Sequence, residues 1–160
     1  MRDPDLIIGP RDNPQTLRWH LLRIGGFQLA LHKWLRSDED RALHDHKADN
    51  ISIILSPQGY DEIIGWEDRE WSRVKQAVHT VFRTVLLRRR AFWPYFRKAE
   101  APHRVVLRDS RPVWSLWIRW PARREWGFWC PKGWRHWQEF CNSRDYSAPG
   151  STSEVGRGCD

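Results

Sequence analysis

Two histidines one residue apart, His44 and His46, are the first side chains in this chain whose spacing suits metal chemistry. On extended backbone, residues i and i+2 face the same side. Both imidazoles can therefore enter one cavity and hold one metal ion. A third ligand has to come from elsewhere. His103, in Ala101-Pro102-His103-Arg104-Val105, heads a second expected strand and can supply it. Asp49 follows the pair and is the candidate carboxylate, either as a fourth ligand or as a partner that orients an imidazole. Imidazole suits Fe(II), Zn, Mn, Ni or Cu, so donor type alone does not choose the ion. Asp45 points away from the two histidines and is expected to be a solvent-facing or turn-capping carboxylate.

Tyr60 and Glu62 are also two apart and share a face. They are the candidate proton donor and general base, against the plainer alternative of a packed tyrosine and a surface glutamate. Arg97 and Arg119 are candidate anchors for an anionic substrate, because guanidinium binds carboxylate or phosphate through two parallel hydrogen bonds. Cys130, His136 and Cys141 have irregular spacing and lack a fourth ligand, which argues against a zinc site. His20, His32 and His79 have no partner at ligand spacing.

The elements that must position these residues follow a period of two. Phe27, Leu29 and Leu31 alternate with Gln28, Ala30 and His32, the pattern of a half-buried strand. Ile51 to Leu55 is short, β-branched and apolar. It runs into the turn signal Ser56-Pro57-Gln58-Gly59, and Tyr60 to Ile64 returns. Further strands are expected at 17–24, 78–87, 104–107, 113–120 and 126–130. Many short strands with frequent turns predict an all-β sandwich or barrel. The one short helix candidate is Gly133 to Phe140. Residues 1–15 are expected to be loose, 16–141 to form one domain, and 142–160, rich in Ser and Gly, to be a disordered tail in which Cys159 plays no part.

Composition bounds the reading. A chain of 160 residues is about one domain's worth and can bury a core without help from disulfides. No run of 18 apolar residues predicts a membrane span. The acidic, proline-containing start is not a secretory signal. Three cysteines without a CxxC pair suggest a reducing compartment, the cytoplasm. The net charge of +7 would allow a nucleic-acid partner, but the basic residues are scattered, so such a partner is not favoured. The 12 tryptophans fit a thick core or a pocket wall. There is no phosphate-binding glycine loop, no GxSxG elbow and no HExxH.

The order HxH, apolar strand, Gly59 turn and later a lone His103 before a strand resembles the cupin superfamily. It is most similar to small cupin-like proteins of phages and bacteria. Those carry HDH, a later HRV (here 103–105) and a WGF–P–GW–W–F ending, here Trp126-Gly127-Phe128, Pro131, Gly133-Trp134, Trp137 and Phe140. The resemblance implies an all-β jelly-roll barrel, a double-stranded β-helix, with one divalent metal in its mouth held by His44, His46 and His103. Fe(II) is favoured, with Zn, Mn or Ni as the other candidates. The chain departs from the pattern in several places. Asn50 stands where the family carries a glutamate, Lys98 and Glu100 replace a proline and a glycine, and Leu107 replaces an asparagine. The resulting three-histidine set resembles the thiol dioxygenases of the same class. It implies oxygen-dependent oxidation of a small polar substrate, and analogy with the family adds a homodimer. Two alternatives stay open, a non-catalytic ligand- or partner-binding module and a phage-type factor that modifies nucleotides or DNA.

Overall fold

The computed structural model describes residues 2–9, 12–38, 42–72, 74, 76–141 and 158–159. Most of the described residues lie in strands. The first strands are β1 (Leu6–Ile8), β2 (Thr16–Ile24) and β3 (Phe27–Trp34). Then come β4 (Leu43–His44), β5 (Asn50–Ile54), β6 (Tyr60–Ser72), β7 (Ala77–Arg89) and β8 (Pro94–Arg97). β9 (His103–Val106), β10 (Val113–Arg119), β11 (Gly127–Cys130), β12 (Gly133–His136) and the helix α1 (Trp137–Cys141) complete the chain. They form two six-stranded sheets, ordered β1-β2-β3-β10-β5-β8 and β12-β11-β4-β9-β6-β7. The chain is all-β, a two-sheet jelly-roll barrel with one short C-terminal helix, as the strand pattern predicts.

Turn chemistry sets the hairpins. Gly25 and Gly26 join β2 to β3 with φ of +55° and +80°. Such two-residue turns need residues that tolerate positive φ at both positions. Gly59 enters β6 at φ +64°, and a Cβ there would strike the Arg89 carbonyl on β7. Only glycine lets the two backbones approach this closely.

Several sequence expectations are corrected. Residues 6–8, expected to be loose, pair with Arg18 to Thr16 as β1. The expected helix from Gly133 begins as β12, and only Trp137–Cys141 is helical. The β6–β7 hairpin is longer than the apolar patterning indicated, because its distal half is charged and continues in register to Ser72↔Ala77. Of the tail, residues 142–157 and 160 lie outside the described residues. Cys159 does have a part: it forms a disulfide with Cys130 and packs beside Ala42, Phe128, Trp137 and Phe140. The expectation of a reducing compartment rested on unpaired cysteines, and this pairing removes that basis. Among the described residues no helix is long and apolar enough to cross a membrane.

Register explains which face of the first sheet is inside. β3 is half-buried, but its polar set faces the interior: Ala30 and His32 are buried, while Leu29 and Leu31 lie on the opposite face. Directly paired residues share a face. The inner rows can therefore be read across strands. Thr16, Trp34 and Val113 form one row. Arg18, His32, Ser115 and Ile54 form the next. His20, Ala30, Trp117, Ser52 and Tyr95 follow, and then Arg23, Gln28, Arg119, Asn50 and Arg97. One end of the barrel is closed by an apolar cluster of Ile54, Tyr60, Val105, Leu107 and Val113. Burying a large apolar side chain contributes about 1.5–3 kcal/mol, so this cluster anchors the two sheets. Toward the other end the rows become polar and line an internal cavity.

Candidate metal centre

The ladder itself brings two of the three histidines together. β4 pairs with β9 so that His44 lies directly opposite His103. The chain continues extended, with Asp45 N donating to Gly127 O at 3.0 Å and His46 N to Ala99 O at 2.9 Å. This returns His46 to the same side as His44. A ligand nitrogen from each of His44, His46 and His103 lies within 4.8 Å of the other two. The ring centroids are 5.3, 4.7 and 5.0 Å apart, nearly an equilateral triangle.

The donor chemistry of this triangle fits a cation. His103 Nδ1 stands 2.6 Å from Glu62 Oε1. A neutral imidazole that donates its Nδ1–H to the carboxylate in a hydrogen bond presents a lone pair at Nε2. That Nε2 is 2.8 Å from His46 Nε2. Two imidazole nitrogens can share one proton at this distance, or point both lone pairs at one ion. Burial and the nearby Arg97 charge lower the His103 pKa to about 3, against the pull of Glu62. Burial, followed by the charges of His103 and His44, holds His46 well below the ordinary histidine range. Neutral imidazole is the form that ligates metals.

Behind His103 stands a charged lattice. Glu62 is fully buried, and its Oε1 takes Arg97 as well as His103, while its Oε2 accepts Arg89 Nε at 2.5 Å. Arg97 NH1 donates to Asn50 Oδ1 at 3.1 Å. Burial pushes the Glu62 carboxyl up, but Arg97, His103 and Arg89 outweigh it and hold the group well below the usual carboxylate range. Glu62 is therefore ionised and engaged on both oxygens. It orients His103 and has no vacant oxygen with which to take a proton as a general base. Tyr60 is buried, and burial raises its pKa to about 12. Arg97, expected as a substrate anchor, is instead spent on Glu62 and Asn50. His44 has Asp38 Oδ2 3.9 Å from its Nδ1. Asp38 itself accepts Val105 N at 2.6 Å and the Gln15 amide, and burial raises its pKa to about 7.

Two other acids differ from expectation. Asp45 is fully buried, not solvent-facing. It accepts Gly127 N at 2.7 Å, Trp134 Nε1 at 2.9 Å and Trp129 Nε1 at 3.3 Å, and it pairs with Arg124 NH1 at 2.9 Å. The central residue of HDH thus bolts the histidine segment to β11 and β12. The adjacent WGF…GW segment is the signal in the sequence that locates its donors. Asp49 does not join the three histidines. Its Oδ1 accepts Ala99 N and Arg123 NH2, each at 2.7 Å, and these bonds lower its pKa.

The triangle opens on a cavity of about 1030 Å³, lined among others by Arg18, His32, Trp117, Arg119, Trp126 and Phe128. Trp126 stacks on Trp137 at 5.8 Å and 7°, which fixes one wall.

No protein-family model matches this chain, and no curated protein does. Distant likenesses exist among solved structures. The hydroxypropylphosphonic acid epoxidase from S. wedmorenis is 12% identical with a TM-score of 0.46, over 75% of this chain and 58% of that one. HppE in its Fe(II) form with substrate is 11% identical with a TM-score of 0.49, over 74% and 57%. A cupin superfamily protein from Desulfitobacterium hafniense is 16% identical with a TM-score of 0.41, over 76% and 99%. The chain spans rather more than half the length of the epoxidase structures. At such distance the site has to be read from its own geometry.

Proposed function

We propose that this chain is a cupin-type metal protein whose single divalent ion, Fe(II) by preference, is held by His44, His46 and His103, and that it oxidises a small polar substrate with molecular oxygen. The observation that carries this reading is the convergence of three imidazoles, that of His103 buried and those of His44 and His46 half-buried, with ligand nitrogens within 4.8 Å of one another on the wall of one cavity. When bound, iron would supply oxygen activation, and three protein ligands leave coordination positions open for small molecules. The protein's own residues do the rest. Glu62 fixes the tautomer of His103, while Arg97 and Asn50 fix Glu62. Trp117, Trp126 and Phe128 give the cavity an apolar stretch of wall.

Asp49 is left out of this ligand set: it is not among the residues whose ligand atoms converge, and its Oδ1 is held by Ala99 and Arg123. Tyr60 lines the cavity and stays protonated at neutral pH, the form a proton donor needs. The chemistry is left without Glu62 as a base, because it stays paired on both oxygens. That same observation favours a second reading, a metal-bearing module that binds a ligand without turning it over.

A ferrous nitrosyl experiment separates the two. Nitric oxide added anaerobically to the Fe(II)-loaded protein reports open iron positions by electron paramagnetic resonance. A high-spin ferrous nitrosyl signal that changes in shape when ligand is added supports the oxygenase reading. Bound iron that gives no such signal leaves only the binding module.

A further inference from the structure

One row at the cavity's polar end is cationic. Arg23, Gln28, Arg119, Asn50 and Arg97 stand opposite one another on β2, β3, β10, β5 and β8. Arg23, Gln28, Arg119 and Arg97 all line the cavity that holds the three histidines. Their circumstances differ. Arg97 is neutralised by Glu62. Arg119 donates one NH2 bond to Gly26 O at 3.2 Å, while its Nε is shielded from water and has no hydrogen-bond partner. Arg23 makes no ion pair with any described residue. Burial and the charge of Arg23 lower the pKa of Arg119, the sign of two guanidiniums crowding without a counter-charge.

Of the three acids on the cavity wall, Asp3, Asp5 and Asp38, none forms an ion pair with Arg23 or Arg119 among the described residues. Asp5 is taken by Arg2 NH2 at 2.9 Å and His20 N at 2.7 Å. Asp38 lies against Val105 and Gln15 beside His44. Arg18 adds further positive charge, lying 4.6 Å over the Trp117 ring and donating to His32 at 2.8 Å. Two guanidiniums on one cavity wall without a counter-charge leave a positive potential that an oxyanion would neutralise through charge-assisted hydrogen bonds to their terminal NH groups.

We infer that the cavity takes the carboxylate or phosphate group of a small molecule between Arg119 and Arg23, with the rest of that molecule directed toward the three histidines. The second clause rests on the metal reading above; the oxyanion site itself does not. Arg119 and Arg97 are two strands apart, about 10 Å at the usual strand spacing. Arg97 pairs with Glu62, which meets His103, so that spacing sets the scale of a small metabolite for a molecule that reaches from Arg119 toward the histidines.

Calorimetric titration of chelator-treated, full-length protein with inorganic phosphate, and separately with succinate, tests the site without metal. Saturable binding of at least one probe is expected, weakened tenfold or more in Arg119→Gln and in Arg23→Gln and less in Arg119→Lys. Which probe binds decides between phosphate and carboxylate. Binding of neither probe, or binding unchanged in both glutamine variants, overturns the inference. Arg23 is exposed, so its variant carries the test should Arg119→Gln fail to fold. Metal content measured on the same variants keeps the two readings apart. Loss of anion binding with metal retained supports the site as drawn. Anion binding in a protein that never loads metal removes only the metal reading.

Discussion

The Glu62 carboxylate meets His103 at Nδ1, 2.6 Å away, and so leaves the other ring nitrogen of His103 facing His46 at 2.8 Å. A residue expected to move protons is instead the one that aims a ligand. Removing such a carboxylate from behind a ligating histidine typically costs 10–100-fold in metal affinity. Glu62→Gln should show a loss of that size by competition with a chelator. It also strands Arg97 and Arg89 and should cost about 3–5 kcal/mol of stability in urea unfolding. An unchanged metal affinity in the folded variant would show that the carboxylate does not orient the ligand.

Acid should destabilise the metal-free protein. His32, His46 and His103 all have pKa values lowered by burial, that of His103 to about 3, so the unfolded chain binds more protons than the folded one below pH 6.5. Asp38 works the other way. Its pKa is raised from 3.8 to about 7, which removes stability as pH rises between those values. Three histidines against one aspartate leave a net loss as pH falls from 6.5 toward 4. Glu62, with a lowered pKa, adds to it below about 4.5. Urea unfolding at pH 7, 6 and 5 should show ΔG falling at each step. A flat or rising profile would mean that these histidines are not held neutral.

The Cys130–Cys159 bond closes a loop with a sequence separation of 29. By the chain-entropy estimate this is worth about 3.6 kcal/mol, or a melting shift on the order of 10 °C for a domain of this size. Thermal melts with and without reductant measure it. Identical midpoints would mean that the bond contributes nothing to the fold.

The outward face of the first sheet is apolar in register. Leu22, Leu29, Ile118, Ile51 and Phe96 make one row, and Leu31, Leu116, Ile53 and Pro94 the next, closed at its β2 end by the buried Trp19. Five strands and two to three rows cover about 500 Å². Doubled across two copies, that reaches the roughly 1,000 Å² of a specific interface. Light scattering after size exclusion should give a dimer that Ile118→Lys dissociates. A monomer at high micromolar concentration would contradict a self-pairing face.

The sequence discloses the strands because alternation and turn residues are local properties. HxH discloses two ligands for the same reason, since a pleat turns positions 44 and 46 to one side whatever surrounds them. The role of Glu62 is not local. It depends on β6 lying beside β9, which the sequence does not state. Asp45 looks like a surface acid until Trp129, Trp134 and Arg124 arrive from 79 or more residues away. The inner face of β3 was hidden because polar residues, not its leucines, line the cavity. Cys159 could not be paired from spacing alone, because its partner lies across a low-complexity tail.

Metal content decides the central claim that His44, His46 and His103 hold one ion. After anaerobic reconstitution with Fe(II) and desalting, wild-type protein should retain close to one metal per chain by elemental analysis. His44→Ala, His46→Ala and His103→Ala, checked as folded by circular dichroism, should each retain less than a tenth of that, and Asp49→Ala should retain all of it. Wild-type protein that keeps no Fe, Mn, Ni or Zn, or alanine variants that keep it undiminished, would contradict the account.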